Sequence, residues 1–161
     1  MEYVSVVTDY GRQRIAAAIA QGTTVNITKM VYGDANGTPY TPTSDMTQLV
    51  HQVGQITVLT KTSDNDWAYF TGTIPATQSA FTLREVGLYD DNNKLVIIAN
   101  TPDAYKPTSL DGVILSLPVC IAISIASGGV IVVEATDESY ATKEYVQDSI
   151  HNIIAIDCGT F

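Results

Sequence analysis

The chain offers few groups able to do acid–base or nucleophilic chemistry. Its ring bases are His51 and His151, and nucleophilic catalysis needs a Ser or Cys beside a histidine that a carboxylate orients. His51 follows Val50 in a segment with helical spacing and His151 lies near the end of the chain, so both read as solvated helix residues. No G-x-S-x-G elbow is present. The two thiols, Cys120 and Cys158, lack C-x-x-C spacing; Cys120 falls in an apolar run and is expected to pack, and a disulfide between the two stays open. Carboxylate pairs occur at Asp64 with Asp66, Asp90 with Asp91, and Asp137 with Glu138. All three stand among turn formers, where aspartate hydrogen-bonds local backbone, so they read as turn residues rather than as a glycosidase pair. Asp34-Ala35-Asn36-Gly37 opens like a calcium loop, but its glycine comes too early and no closing glutamate follows. Phosphate-cradling glycine loops and zinc-ligand spacings are missing as well. The sequence therefore assigns no catalytic, cofactor-binding or metal-binding residue, and no enzyme is expected.

The totals bound the remaining possibilities. The 161 residues suit one domain with one core. At 45% hydrophobic and 16% charged residues, the chain falls within the globular range. Eight basic residues against 17 acidic ones leave a net charge of -9. Nucleic acid is not expected as a partner, because a phosphate backbone is bound by clustered cations that displace counterions. The Val113 to Ala126 stretch is broken by Ser116, Pro118 and Ser124, too short for the roughly 20 apolar residues of a membrane helix. The first residues lack the basic and apolar regions of a secretion signal. Unspaced cysteines fit a reducing, cytoplasmic site of synthesis.

The elements follow from period and punctuation. Thr8 or Asp9 caps a predicted helix that runs through the Ile15 to Ala20 stretch and stops at Gly22. Val25, Ile27 and Lys29 alternate as a strand until Met30-Val31-Tyr32 breaks the period, and turn formers from Gly33 to Pro39 predict an exposed loop. Met46, Leu49, Val50 and Val53 share a helical face, with Ser44 or Asp45 as cap, which predicts a second helix. Three hairpins are expected: Ile56–Thr60 with Trp67–Thr73, Phe81–Tyr89 with Lys94–Asn100, and Val113–Ser124 with Val130–Ala135. Prolines and a glycine across 101–112 predict a long surface excursion. A terminal helix capped at Thr142 carries Val146, Ile150 and Ile153 as a narrow coiled-coil seam. The expected fold class is α+β: N-terminal helices, an antiparallel β-sheet of hairpins and a C-terminal helix, divided into residues 1–140 and a short helix and tail at 141–161.

Several of these segments carry a resemblance. Glu85-Val86-Gly87-Leu88-Tyr89-Asp90-Asp91, then Lys94 to Asn100 and Ala104-Tyr105-Lys106-Pro107, are similar in order and spacing to the N-terminal domain of phage tail-collar fibre proteins. The helix from Thr8, Val25 to Met30, Leu49-Val50-His51 and Ala141 to Val146 extend the likeness over residues 1–150. The resemblance implies a structural virion protein that anchors a homotrimeric fibre to the baseplate by protein contacts, made in the host cytoplasm and residing in the virion tail. Baseplate proteins and a distal fibre protein are the implied partners, without nucleic acid or membrane insertion. The chain is then either part of a longer fibre or a short adaptor. Candidate contacts are Tyr105, Lys106 and Pro107, in the predicted loop, and Val146, Ile150 and Ile153, in the seam. A carbohydrate-binding adhesin, using Trp67 and Tyr69 for ring stacking, is the competing expectation.

Overall fold

The computed structural model describes residues 2–57, 59–64, 67–108, 115–124 and 131–132. The element order is β1 (Ser5–Val7), α1 (Asp9–Gln21), β2 (Val25–Gly33), a 3-10 turn (Ala35–Gly37), β3 (Gln52–Ile56), β4 (Thr60–Asp64), β5 (Trp67–Ile74), β6 (Phe81–Asp90), β7 (Leu95–Lys106), β8 (Leu117–Ser124) and β9 (Ile131–Val132). A large sheet has the order β1-β7-β6-β2-β3, with β9 joining β2 in parallel at Val25 and Asn26. A small antiparallel sheet has the order β4-β5-β8. The protein is mostly β, which overturns the α+β expectation: α1 is the one α-helix among the described residues. The terminal helix expected after Thr142 lies outside them.

Helix α1 starts and stops where its residues dictate. The buried Thr8 hydroxyl accepts from the Gly11 N–H at 2.9 Å and donates to the Leu95 carbonyl at 2.7 Å, so one side chain caps the helix and fastens it to β7. Gly22 ends the helix in the left-handed region at φ 65. Between these ends the helix meets the sheet through small residues, Gly11 and Ala18. A methyl group on Gly11 would stand 2.3 Å from the Val96 carbonyl oxygen.

Of the four register shifts among the described residues of the large sheet, two bear most on which side chains face which way. The β2–β6 register passes from Ile27↔Asp90 to Lys29↔Tyr89, leaving Thr28 as an extra residue. Its hydroxyl donates to the Asp90 carbonyl at 3.1 Å. The core-facing set therefore changes from Val25 and Ile27 to Met30 and Tyr32, because one inserted residue reverses a period of two. The break of alternation at Met30 is this bulge, and β2 continues through Gly33 where a loop was expected. The β6–β7 register passes from Leu83↔Ala104 to Glu85↔Asn100, so Thr101, Pro102 and Asp103 together oppose Arg84. Pro102, which cannot donate to a ladder, sits in that unpaired stretch, and β7 resumes pairing through Lys106. The predicted excursion from Thr101 is thus strand as far as Lys106.

Both faces of the large sheet are covered. On one side Met30, Tyr32, Val86, Leu88 and Ile97 pack against Phe70, Ile74, Val119, Ile121 and Ile123 of the small sheet. On the other, Val31, Tyr89, Leu95 and Ile98 lie under Leu49, Tyr40 and Met46 of the segment between β2 and β3. Full burial of one such side chain contributes about 1.5–3 kcal/mol, so both interfaces are substantial. Burial on two faces is why β7 opens with an unbroken apolar run rather than alternating.

The hairpins are corrected in two places. The β6–β7 hairpin forms as expected, and β5 pairs with a strand shifted to Thr60–Asp64. Among the described residues the third expected hairpin is not formed: β8 pairs with β5, and β9 pairs with β2. The second helix is absent too, and Leu49 instead lies in irregular, bent chain leading to β3. The N–H groups of Val50 and His51 bond a buried carboxylate rather than carbonyls one turn back. Because α1 approaches β7 so closely at Gly11, Gly11→Ala lowers stability by about 1–3 kcal/mol despite alanine's better helix propensity. Thermal denaturation checks it; an unchanged or higher melting temperature counts against the stated packing.

Candidate attachment surface

Glu85 is the buried centre of the matched segment. It is fully buried on β6, where Oε1 accepts from the Ala35 N–H at 3.2 Å and the His51 N–H at 2.7 Å, and Oε2 accepts from the Val50 N–H at 2.8 Å. A carboxylate with three backbone donors offsets its desolvation by charge-assisted bonds. Here it gathers both ends of the 34–51 segment onto the sheet. Tyr40 in that segment is pushed well above the ordinary phenol range, by burial first and then by the Glu85 charge. Asn100, nearly buried, extends the tie: its amide donates to the carbonyls of Glu2 and Tyr40 and accepts from the Val4 N–H.

Asp90 holds the opposite end of the hairpin. Its buried carboxylate accepts from the Tyr10 hydroxyl at 2.7 Å, Arg14 Nε at 3.2 Å, and the N–H groups of Asn92 and Lys94 at 3.1 Å. Asp91 binds Arg14 Nη2 at 2.9 Å. The pair read as turn residues does shape the turn, and it also anchors the exposed flank of α1. Gly87 leaves room between them, since a methyl group there would stand 2.7 Å from both Leu49 Cδ1 and Leu95 Cδ1.

His51 is not on a helix; its Nδ1 lies 2.6 Å from Asp34 Oδ1. Asp34 also accepts from the Asn36 N–H, making the pair a clasp on the 3-10 turn. Burial works to raise the Asp34 carboxyl, but the bonds from His51 and Asn36 prevail and hold it below the usual aspartate value. No group of three or more possible metal ligands occurs among the described residues, and no described helix is long and apolar enough to cross a membrane.

The sequence-derived contact residues separate sharply. Tyr105 is 62% exposed near the end of β7, opposite Thr82. Lys106 is fully buried, with Nζ donating to the carbonyls of Ala76 at 3.3 Å, Gln78 at 2.8 Å and Pro107 at 3.2 Å. Its role is internal: it closes the 75–78 turn, which the Tyr32 hydroxyl also holds through Gln78 Oε1 at 2.9 Å. Pro107 is half-buried. Val146, Ile150 and Ile153 lie outside the described residues. The result is one exposed tyrosine on a paired strand, beside a buried lysine, in place of a three-residue contact loop.

Two features escaped sequence reasoning. Glu85 was not marked as a buried anchor, although a charged residue between Leu83 and Val86 in an apolar strand was a usable signal. Cys120 was expected to pack, yet it is exposed, because Val119, Ile121 and Ile123 take the inward positions of β8.

Comparison with known proteins decides the family. The family model described as "Phage tail-collar fibre protein, N-terminal" matches residues 1–134. The chain belongs to the phage tail-collar fibre protein family. It is 32% identical over 160 residues to the "Probable tail fiber protein" of Escherichia phage P2, covering 93% of this chain and 23% of that relative's length. No solved structure matches. Family membership makes the chain a structural component of a phage tail fibre. The Glu85 to Asp91 segment that carried the resemblance supplies, in this member, the internal anchors of the domain.

Two outcomes follow from these anchors. Glu85→Gln turns an N–H donor toward at least one buried N–H and costs about 1–3 kcal/mol, with faster hydrogen exchange concentrated in residues 34–51; exchange spread evenly over the chain would contradict the anchoring role. The Asp34 carboxyl has a lowered folded pKa, so its contribution is present above its unfolded pKa, near 3.9, and is lost as pH falls through the folded value. In denaturation followed against pH, wild type should exceed Asp34→Asn by a steady margin above that unfolded value, and the margin should shrink as pH falls through the folded value.

Proposed function

We propose that this domain anchors a homotrimeric tail fibre to the baseplate through protein contacts alone, without catalysis. The observation that carries the reading is the match of the tail-collar N-terminal family model across residues 1–134. The chemistry of the described surface agrees with it. Ionisable residues with the most specific geometry, Glu85, Asp90 and Lys106, are spent inside the domain on backbone groups. Tyr105 offers a rigid aromatic body with a polar tip, and little side-chain entropy is lost when such a residue is buried by a partner. Lys106 supports that presentation from beneath by fixing the adjacent turn. The seam of Val146, Ile150 and Ile153 would continue the trimer toward a shaft, and a distal fibre protein would be met there.

A carbohydrate-binding adhesin is the second reading, favoured by Trp67, 46% exposed, with Tyr69 two residues along the same face of β5. The two are separated by binding. Purified chain is expected to bind phage tails assembled without their fibre protein, and Tyr105→Ala to weaken that binding about tenfold, as loss of a central aromatic anchor does. A chain that ignores fibreless tails but binds a glycan array, with binding abolished by Trp67→Ala, would replace attachment with the adhesin.

A further inference from the structure

The outer face of the small sheet differs from every other charged flank of the described molecule. Alternation along β5 puts Ala68, Phe70 and Ile74 in the core and turns Trp67, Tyr69, Thr71 and Thr73 outward. Register adds Thr62 of β4 and Ala122 of β8 beside Tyr69, and Thr60 and Cys120 beside Thr71. Trp67 and Cys120 are exposed and Tyr69 half-exposed. None of these residues is ionised; at the hairpin end the register partner of Trp67 is Asp64. Elsewhere the surface carries ions: Asp9 with Arg12 and Asp91 with Arg14 at α1, Asp34 with His51, and Arg84 with Asp103. Lys61 opposes the core residue Phe70, so its register position is on the inner side of β4.

We propose that this face is a self-association surface whose occupant is a second copy of the chain, which rests on the homo-oligomeric part of the attachment reading. Charge argues for that occupant. Two chains of net charge -9 repel, and they meet at least cost where each presents the fewest charges. A basic partner would instead select one of the acidic flanks. Hydrogen bonding points the same way. Threonine and tyrosine hydroxyls both donate and accept, so a hydroxyl-rich face complements a copy of itself, whereas a face of carboxylates only accepts. From strand spacing and rise, the three strands cover roughly 400 Å², about half of the ~800 Å² per partner in a standard interface. The association through this face alone is therefore weak and depends on concentration.

Sedimentation equilibrium tests it, together with the rate at which a maleimide labels Cys120 in a Cys158→Ser chain. From dilute to concentrated protein, the average mass should rise and Cys120 labelling slow at least threefold. Thr62→Glu, at an exposed edge position that leaves the core untouched, should raise the dissociation constant tenfold or more and keep labelling fast at every concentration. Trp67→Ala should act in the same direction, with unchanged circular dichroism. A chain that stays monomeric with concentration-independent labelling overturns the proposal. So does an oligomer unaffected by Thr62→Glu, which would leave the trimer standing and move its surface elsewhere. Slower labelling on adding glycans, or only on adding a basic protein, with the chain still monomeric, overturns it in favour of that occupant. Binding to fibreless tails is measured separately, so failure of the attachment reading is distinguishable from failure of this surface.

Discussion

A large sheet buried on both faces cannot carry an ionised glutamate unless that charge is fully bonded, and Glu85 is the point at which this protein meets the constraint. Its carboxylate faces the side of the sheet covered by the 34–51 segment and takes the N–H groups of Ala35, Val50 and His51. The segment contributes Leu49, Tyr40 and Met46 to the second core cluster, yet forms no helix or strand between Gly37 and Gln52. Its backbone donors need acceptors once covered, and the glutamate supplies them. The bond set and the apolar cover are therefore one device. Without the carboxylate the cover loses its anchor, and without the cover the carboxylate would stand in water rather than organise a chain.

The same economy governs the other ionised groups of the hairpin. Asp90 connects the turn to α1, and Lys106 connects the far end of β7 to the 75–78 turn. Each is a buried charge: Asp90 is bonded to two side chains and two backbone N–H groups, and Lys106 to three backbone carbonyls. Lys106 fixes the strand next to the exposed Tyr105 through its bonds to the carbonyls of Ala76, Gln78 and Pro107. Exposed aromatic and hydroxyl groups line the outer face of the small sheet, while ion pairs mark the flanks of α1, the 3-10 turn and the Arg84 stretch. Tail-fibre membership and this distribution of charge are mutually consistent.

Irregularity in the strands does as much as regularity. The extra residue at Thr28 and the unpaired stretch opposite Arg84 reverse the inward and outward sets of β2 and β6. These reversals let the same strand serve the inter-sheet core in one part and the loop-covered face in another. Arg84 bridges to Asp103 at 2.8 Å across the widened ladder, which lets β7 carry Pro102 and still resume pairing.

Local chemistry alone determined the parts of this protein that need no distant partner. The Thr8 cap, the Gly22 stop and the Phe81–Asn100 hairpin were legible because each depends on neighbours within a few residues. The order of the Glu85 to Asp91 segment and its flanks was sufficient to suggest the family. Residues 44–53 were misread because the spacing of Met46, Leu49, Val50 and Val53 satisfies a helix as well as it satisfies cover for a sheet. The choice fell to Glu85, 35 residues from Val50, which captured the backbone donors a helix requires. Pairing of β8 with β5, the burial of Lys106 and the exposure of Cys120 were likewise decided in three dimensions. A strand's edge partner and a side chain's access to water depend on which surfaces are still open when the sheets meet, and a local period of two or 3.6 carries no information about that.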